Sequence, residues 1–313
     1  MSEQSSNLVM MIRPASFRMN EQTAVNNGYQ KESTQGSDPE SLAQAEFDGV
    51  VAALRSAGIE VAVFEDDPEA DTPDALFPNN WVSFHADGRV GLYPMFAVNR
   101  RRERRESLIH MLASDHGRDL DEFVDFTEFE QHDVFLEGTG SLILDRTNRI
   151  AYASIGPRTD EQAAQHFCEA FGYQLVAFTA HQTQGDALAP IYHTNVMLAI
   201  GSHWAVVCDE IVTDPHERQH LMEQLKASGR DVIQVTADQV NGFAGNVLEV
   251  QDQAGTKFLA MSTAAFESYT PEQRTSLSAH ATLIHAPIPT IETCGGGSVR
   301  CMMAEVFLPS TPH

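Results

Sequence analysis

The chain has 313 residues, 42% of them hydrophobic and 20% charged, and its 44 Asp+Glu against 20 Lys+Arg give a formal net charge of -24. Length and apolar content suit a buried core and exclude a disordered or collagenous chain. The acidic balance opposes nucleic acid or an anionic membrane as the main partner, and no run of about 18 apolar residues exists to span a bilayer.

At the N-terminus, MSEQSSN lacks the basic-then-apolar pattern of a signal peptide. Four cysteines (Cys168, Cys208, Cys294, Cys301) are too few for a disulfide scaffold, so the expectation is a cytoplasmic protein with reduced thiols. Residues 40–57 predict a helix with Leu42, Ala45, Phe47, Val50, Val51 and Leu54 on one stripe, and IEVAVF behind it predicts a strand. PDALFPNNW leads into a hairpin from Pro78, and FLEGTG into a second from Glu137. Asp160 and Gly172 bracket the next helix as N-cap and stop, followed by the run YQLVAF. A third hairpin begins at His193, and Asp214-Pro215 opens a helix that runs to about Ser228, with Gly229 and DVIQVT after it. A fourth hairpin begins at Ala244, Pro271 opens another helix, and ATLIHA follows. The last segment is GGGSVRCMMAEVFL from Gly295.

Five hairpin-like segments thus start about 50 to 60 residues apart, and their turns ADGR, DRTNR, GS and DQAGT suit positive φ. A unit of hairpin, helix and strand repeated in this way implies a closed, pseudo-symmetric α/β assembly. A doubly wound sheet is the second architecture; frequent hairpins and the lack of a Gly-x-Gly-x-x-Gly turn count against it. The GGGS at 295–298 lacks a following Lys-Ser/Thr and leads into a β-rich run, against a phosphate loop.

Cys301 follows Arg300 and a glycine run, where a nearby guanidinium would favour the nucleophilic thiolate. Packing as a small hydrophobe is the common alternative for a free cysteine, and Cys294 is a rival nucleophile. Cys168 and Cys208 read as structural. No spacing suits zinc, neither Cys-x-x-Cys nor His-Glu-x-x-His. His193 sits at the mouth of a strand, where an imidazole can exchange protons near neutrality, or simply be a surface or hydrogen-bonded residue. Glu137 can orient a histidine, hold a cationic substrate, or merely start a strand. Asp74, Asn79 and Asn80 form a polar group before Trp81, and turn chemistry alone would explain them. All these residues fall at the same end of corresponding hairpins, so the repeat would point them at one centre, a constellation for thiol attack on a polar carbon.

The combination resembles the guanidine-modifying superfamily, the pentein α/β-propellers of arginine deiminases, dimethylarginine dimethylaminohydrolases, agmatine deiminases and amidinotransferases. The resemblance runs from MIRP at 11–14 to RCMMAEVF at 300–307. It implies a five-bladed α/β-propeller of ββαβ-type units forming one catalytic domain over residues 1–313. FLEGTG is similar to the family's Glu-Gly-Gly-Asp motif and implies the triad acid at Glu137. HTN is similar to His-x-Asp and implies the base at His193. GGGSVRC resembles the nucleophile motif and implies Cys301 rather than Cys294. PDALFPNN resembles Pro-Asp-x-x-Phe-x-Glu-Asp and implies a substrate-binding Asp74. FPNNW is shared with the citrulline-utilisation hydrolase subgroup.

Three acids that the resemblance would place are neutral here: Asn80, Asn195, and Thr139-Gly140 in place of Gly-Asp. Burying a guanidinium without carboxylate partners costs several kcal/mol, on the order of a broken buried ion pair. A neutral ureido group avoids that cost, and its carbonyl accepts from an amide donor. The expectation is a cysteine-dependent hydrolase of citrulline, giving ornithine, CO2 and ammonia, with no metal or organic cofactor. Asp74, Asn79, Asn80 and Asn195 would position the ureido group, and Arg300 or Arg13 would take an α-carboxylate. An arginine deiminase, dihydrolase or amidinotransferase is the alternative enzyme, and a non-enzymatic propeller binding module is the third reading. The expected partner is a small-molecule substrate; a homo-oligomer would have to bury a less charged face.

Overall fold

A computed structural model of the chain describes residues 3–33, 38–184 and 187–311. The chain opens with β1 (Leu8–Arg13), then the helix Pro39–Ser56, which carries it back to β2 (Glu60–Glu65) parallel to β1. Asp38 accepts from Ser41 N and Pro39 opens the first turn, so the helix starts where its orphan N–H groups are served. Ala43, Phe47, Val50, Val51 and Leu54 form its buried face; Leu42 and Ala45, predicted on that stripe, are exposed. The 100° advance per residue puts Ala43, not its neighbours, in line with Phe47 and Val50.

Four units of one plan follow. β3 (Val82–Phe84) and β4 (Arg89–Leu92) are antiparallel, and the helix Glu106–Asp115 returns the chain to β5 (Glu122–Asp125) parallel to β4. β6 (Leu142–Asp145), β7 (Ile150–Ser154), helix Glu161–Phe171 and β8 (Gln174–Phe178) repeat it. A two-stranded arm, β9 (His181–Gln184) with β10 (Ala187–Pro190), precedes β11 (Leu198–Ile200), β12 (Trp204–Val207), helix Pro215–Ala227 and β13 (Asp231–Gln234). β14 (Leu248–Gln251) and β15 (Lys257–Ser262), with helices Thr263–Ser268 and Pro271–Ser278 before β16 (Thr282–Ala286), make another. The predicted boundaries at Asp160, Asp214 and Gly172 hold: the two acids cap their helices and Gly172 ends one at φ 69°; the last helix begins at Pro271 as expected, behind a Thr270–Gln273 capping box that the sequence reading does not include.

Two features escape the sequence pattern. The helix Glu106–Asp115 follows the Arg-rich stretch 100–105 and has no side-chain N-cap, so neither start signal nor composition marks it. The final segment holds no hairpin: β17 (Ala304–Glu305) pairs antiparallel with β1, so the two ends of the chain complete one sheet.

The first strands of the units are buried throughout, because both faces pack: β17 lies against β3, β6 against β11, and β11 against β14. The helices cover the outer strands, and four apolar clusters fill the layer between. Each inner strand is entered through a tight turn: Pro78–Asn80, Gly138–Ser141, Thr194–Val196, residues 243–246, and Val299–Met302. Among the described residues no helix is long and apolar enough to cross a membrane.

Where two turns meet, side chains do not fit. A β-carbon on Gly245 would overlap the backbone of Val196, whereas one on Gly49, on the exposed face of the first helix, would meet nothing within 4 Å. Gly245→Ala should therefore destabilise by about 1–3 kcal/mol through overpacking. Gly49→Ala should stabilise by roughly 0.5–1 kcal/mol by restricting the unfolded chain. Urea unfolding of the two variants checks the opposite signs.

Candidate active site

The turns bring their polar residues to one small cavity. Asp74, Asn80, Arg100, Arg158, His193 and Cys301 all line it, and all are buried. The loop Gly295–Gly297 closes one side, lying so near the Phe77 ring that side chains on Gly295 or Gly297 would press on it. The segment 20–31 forms the cover: Gln30 Nε2 donates to Gly295 O at 2.9 Å, and Arg158 donates to Thr23 O and Asn26 Oδ1. Tyr192 OH donates to Gly296 O at 2.6 Å and ties the loop to the His193 turn.

Cys301 sits in the Val299–Met302 turn and faces two amides. Asn195 Nδ2 donates to Sγ at 3.2 Å and Asn246 Nδ2 at 3.1 Å. His193 Nε2 lies 2.7 Å from Glu137 Oε2, a buried pair joining the second and third turns. Burial alone would push the Glu137 carboxyl up, but Arg158 at 3.5 Å, the His193 hydrogen bond and Arg100 at 3.7 Å hold it well below the usual carboxylate range. Burial brings His193 down to about 4, against the pull of Glu137, so the ring is neutral near pH 7. Its other nitrogen, Nδ1, lies with Asn80 Nδ2 over Gly140, where a β-carbon would collide with both. Glycine at 140 is therefore a packing requirement of this pair.

Arg100 determines how Asn80 presents itself. A guanidinium only donates, and Arg100 Nη1 stands 2.8 Å from Asn80 Oδ1, so that atom is the carbonyl oxygen and Nδ2 is a donor. Among the described residues, Asn80 Nδ2 has no hydrogen-bond partner. Asp74 Oδ2 accepts from Asn20 Nδ2 at 2.8 Å and Thr23 Oγ1 at 3.0 Å, while its Oδ1 is buried and unpartnered. The wall therefore offers one neutral donor and one carboxylate acceptor.

Of the sequence-predicted residues, Cys301, His193, Glu137, Asp74 and Asn80 come together here. Asn195 meets the sulfur rather than the cavity, and Asn79 is buried beside the site with both side-chain polar atoms unpartnered. Arg300 turns away: it pairs with Glu305 at 3.5 Å in a separate cavity between the inner strands that Gln4 and Thr139 also line. Arg13 is on the surface with Asp48, and Cys294 packs in an apolar cluster with Phe47 and Val50. Sequence reasoning missed Arg100, Arg158 and Asn246. Arg100 hides in a run of arginines, and Arg158 follows a hairpin with no motif around it. Asn246 alone had a signal, the Asn-Val pair that AGNV shares with HTNV.

The family model for N,N dimethylarginine dimethylhydrolase, eukaryotic, matches residues 13–308. No curated protein sequence matches the chain. Apo ArgZ, an arginine dihydrolase from the ornithine–ammonia cycle in cyanobacteria, superposes with TM-score 0.74 at 15% identity, over 97% of this chain and 41% of that one. The chain thus spans less than half of full-length ArgZ, but 99% of its substrate-bound N-terminal domain, again at TM-score 0.74 and 15% identity over 96% of this chain. A dimethylarginine dimethylaminohydrolase adduct superposes at TM-score 0.62 and 14% identity, over 96% of this chain and 99% of that one. The superpositions give the α/β pentein fold. The family match covers nearly the whole chain, which therefore belongs to the N,N-dimethylarginine dimethylhydrolase family of the pentein guanidine-modifying superfamily.

Proposed function

We propose that the chain is one catalytic domain whose five three-stranded sheets act as blades of a propeller, and that it hydrolyses citrulline to ornithine, CO2 and ammonia. The observation that carries this reading is Asn80, whose Nδ2 donor is held toward His193 by Arg100. A ureido oxygen accepts from such a donor; a guanidinium has only N–H groups to offer it. A guanidinium would also add a third cation beside Arg100 and Arg158, whereas a ureido group adds none. Asp74 Oδ1 would take the ureido N–H groups. Arg158 would meet the α-carboxylate through Nη1, since its Nε and Nη2 are held by Asn26 and Thr23 and Arg100 is engaged by Glu103 at 2.9 Å through two nitrogens.

In the mechanism that this geometry supports, neutral His193 removes the Cys301 proton as Sγ attacks the ureido carbon. The oxyanion draws on Asn80 Nδ2. The imidazolium, stabilised by ionised Glu137, gives its proton to the leaving δ-nitrogen, releasing ornithine and leaving an S-carbamoyl enzyme. Water then loses a proton to His193 and displaces the thiolate, which is reprotonated, and the carbamate decomposes to CO2 and ammonia. Asp74 supports a second reading, an arginine dihydrolase, because the same free oxygen can pair with a guanidinium N–H.

Three measurements test this. Cys301→Ser should abolish turnover with the fold intact, and Cys294→Ser should keep most of it, by ammonia release; the reverse would move the nucleophile to Cys294. Because His193 is depressed, its base form persists as pH falls, so the acid limb of kcat/KM should lie near pH 4 rather than near 6.5. Asn80→Asp should reduce citrulline kcat/KM by roughly 100-fold, the loss of one oxyanion donor, while improving arginine turnover. Parallel assays of ornithine and citrulline formation decide this: a wild type that prefers arginine, with both substrates lost equally in the variant, rejects the ureido assignment.

A further inference from the structure

The turn before β14 contributes a residue to the site that no motif marks. Asn246 is fully buried, and its Nδ2 is 3.1 Å from Cys301 Sγ and 3.2 Å from the backbone oxygen of Asn195. A backbone carbonyl only accepts, so this contact fixes the amide with its N–H groups toward the sulfur. Gly245 before it packs against the Val196 backbone, which brings the fourth turn close to the third and leaves the amide little room to move. Asn195 Nδ2 reaches the same sulfur from the third turn at 3.2 Å.

We infer that Asn246 is a positioning residue for the nucleophile: with Asn195 it forms a two-amide cradle that stabilises the Cys301 thiolate. This rests on Cys301 being the nucleophile, as proposed above. His193, neutral until it takes the Cys301 proton, gives the free sulfur no cation, and Arg300, which lines another cavity, reaches it through its charge and not through a hydrogen bond. The direct contacts are dipoles, and amide N–H groups aimed at the sulfur favour the charged form over the thiol. The two amides come from neighbouring units, so the cradle depends on the repeat and not on the cysteine's own loop.

The test is alkylation of Cys301 by iodoacetamide in the substrate-free protein, followed across pH by peptide mass spectrometry, in wild type, Asn246→Ala and the isosteric Asn246→Asp. Loss of the amide donor should move the midpoint of the alkylation profile to higher pH, further in Asn246→Asp, where a carboxylate faces the sulfur. Turnover of citrulline should fall by roughly 10- to 100-fold, the usual weight of a hydrogen bond to a charged group, in kcat and with KM little changed. Folded variants with the wild-type alkylation profile would overturn the inference. Loss of cooperative melting in both would also overturn it, since it would assign Asn246 to holding the turn. A wild-type Cys301 that resists alkylation at every pH would instead reject the nucleophile assignment on which the inference rests.

Discussion

The site is organised by one buried cation. Arg100 is buried, and a guanidinium left unpaired in the interior would cost several kcal/mol. It is satisfied by a two-point contact to Glu103, by Asn80 Oδ1 at 2.8 Å, and by the carbonyls of Asp74 and Phe77 at 3.4 and 3.3 Å. Each of those partners is thereby placed: the Asp74–Asn80 turn is clamped, and the Asn80 amide has a defined face. Glu137 at 3.7 Å gains part of its low proton affinity from the same charge, and through it His193 is oriented. Replacing Arg100 by a lysine would keep the charge and lose the fork that does this.

The repeat explains why so many polar groups can be buried at one place. Every unit enters its buried strand through a turn at the same end, and the turns have too few residues to cover themselves with apolar side chains. Their amides, acids and thiol therefore face one another, and each unit supplies a different member: Asn80, Glu137, His193 with Asn195, Asn246, and Cys301. Glycines 140 and 245 are the points where turn backbones touch neighbouring turns.

Much of this was legible in the sequence, for physical reasons that also set the limits. Helix starts at Asp160, Asp214 and Pro271 and hairpin turns are local chemistry, and local chemistry reads directly. The helix Glu106–Asp115 has no capping side chain and was invisible. The sheet shared by β1 and β17 joins residues nearly a chain length apart, which no local signal encodes. At the site, Cys301, His193, Glu137 and Asp74 lay in motifs, but direction did not: Asn195 turns to the sulfur and Arg300 to a different cavity. Side-chain direction depends on which neighbour each turn meets, and that is a property of the assembled units.

The donor face of Asn80 separates ureido from guanidine chemistry, and a ligand complex reads it most directly. A crystal structure of Cys301→Ser soaked with citrulline should show the ureido oxygen within hydrogen-bond distance of Asn80 Nδ2 and a ureido nitrogen on Asp74 Oδ1. An oxygen turned away from Asn80, or a site that takes arginine from an equal mixture and leaves citrulline in solution, would contradict the account.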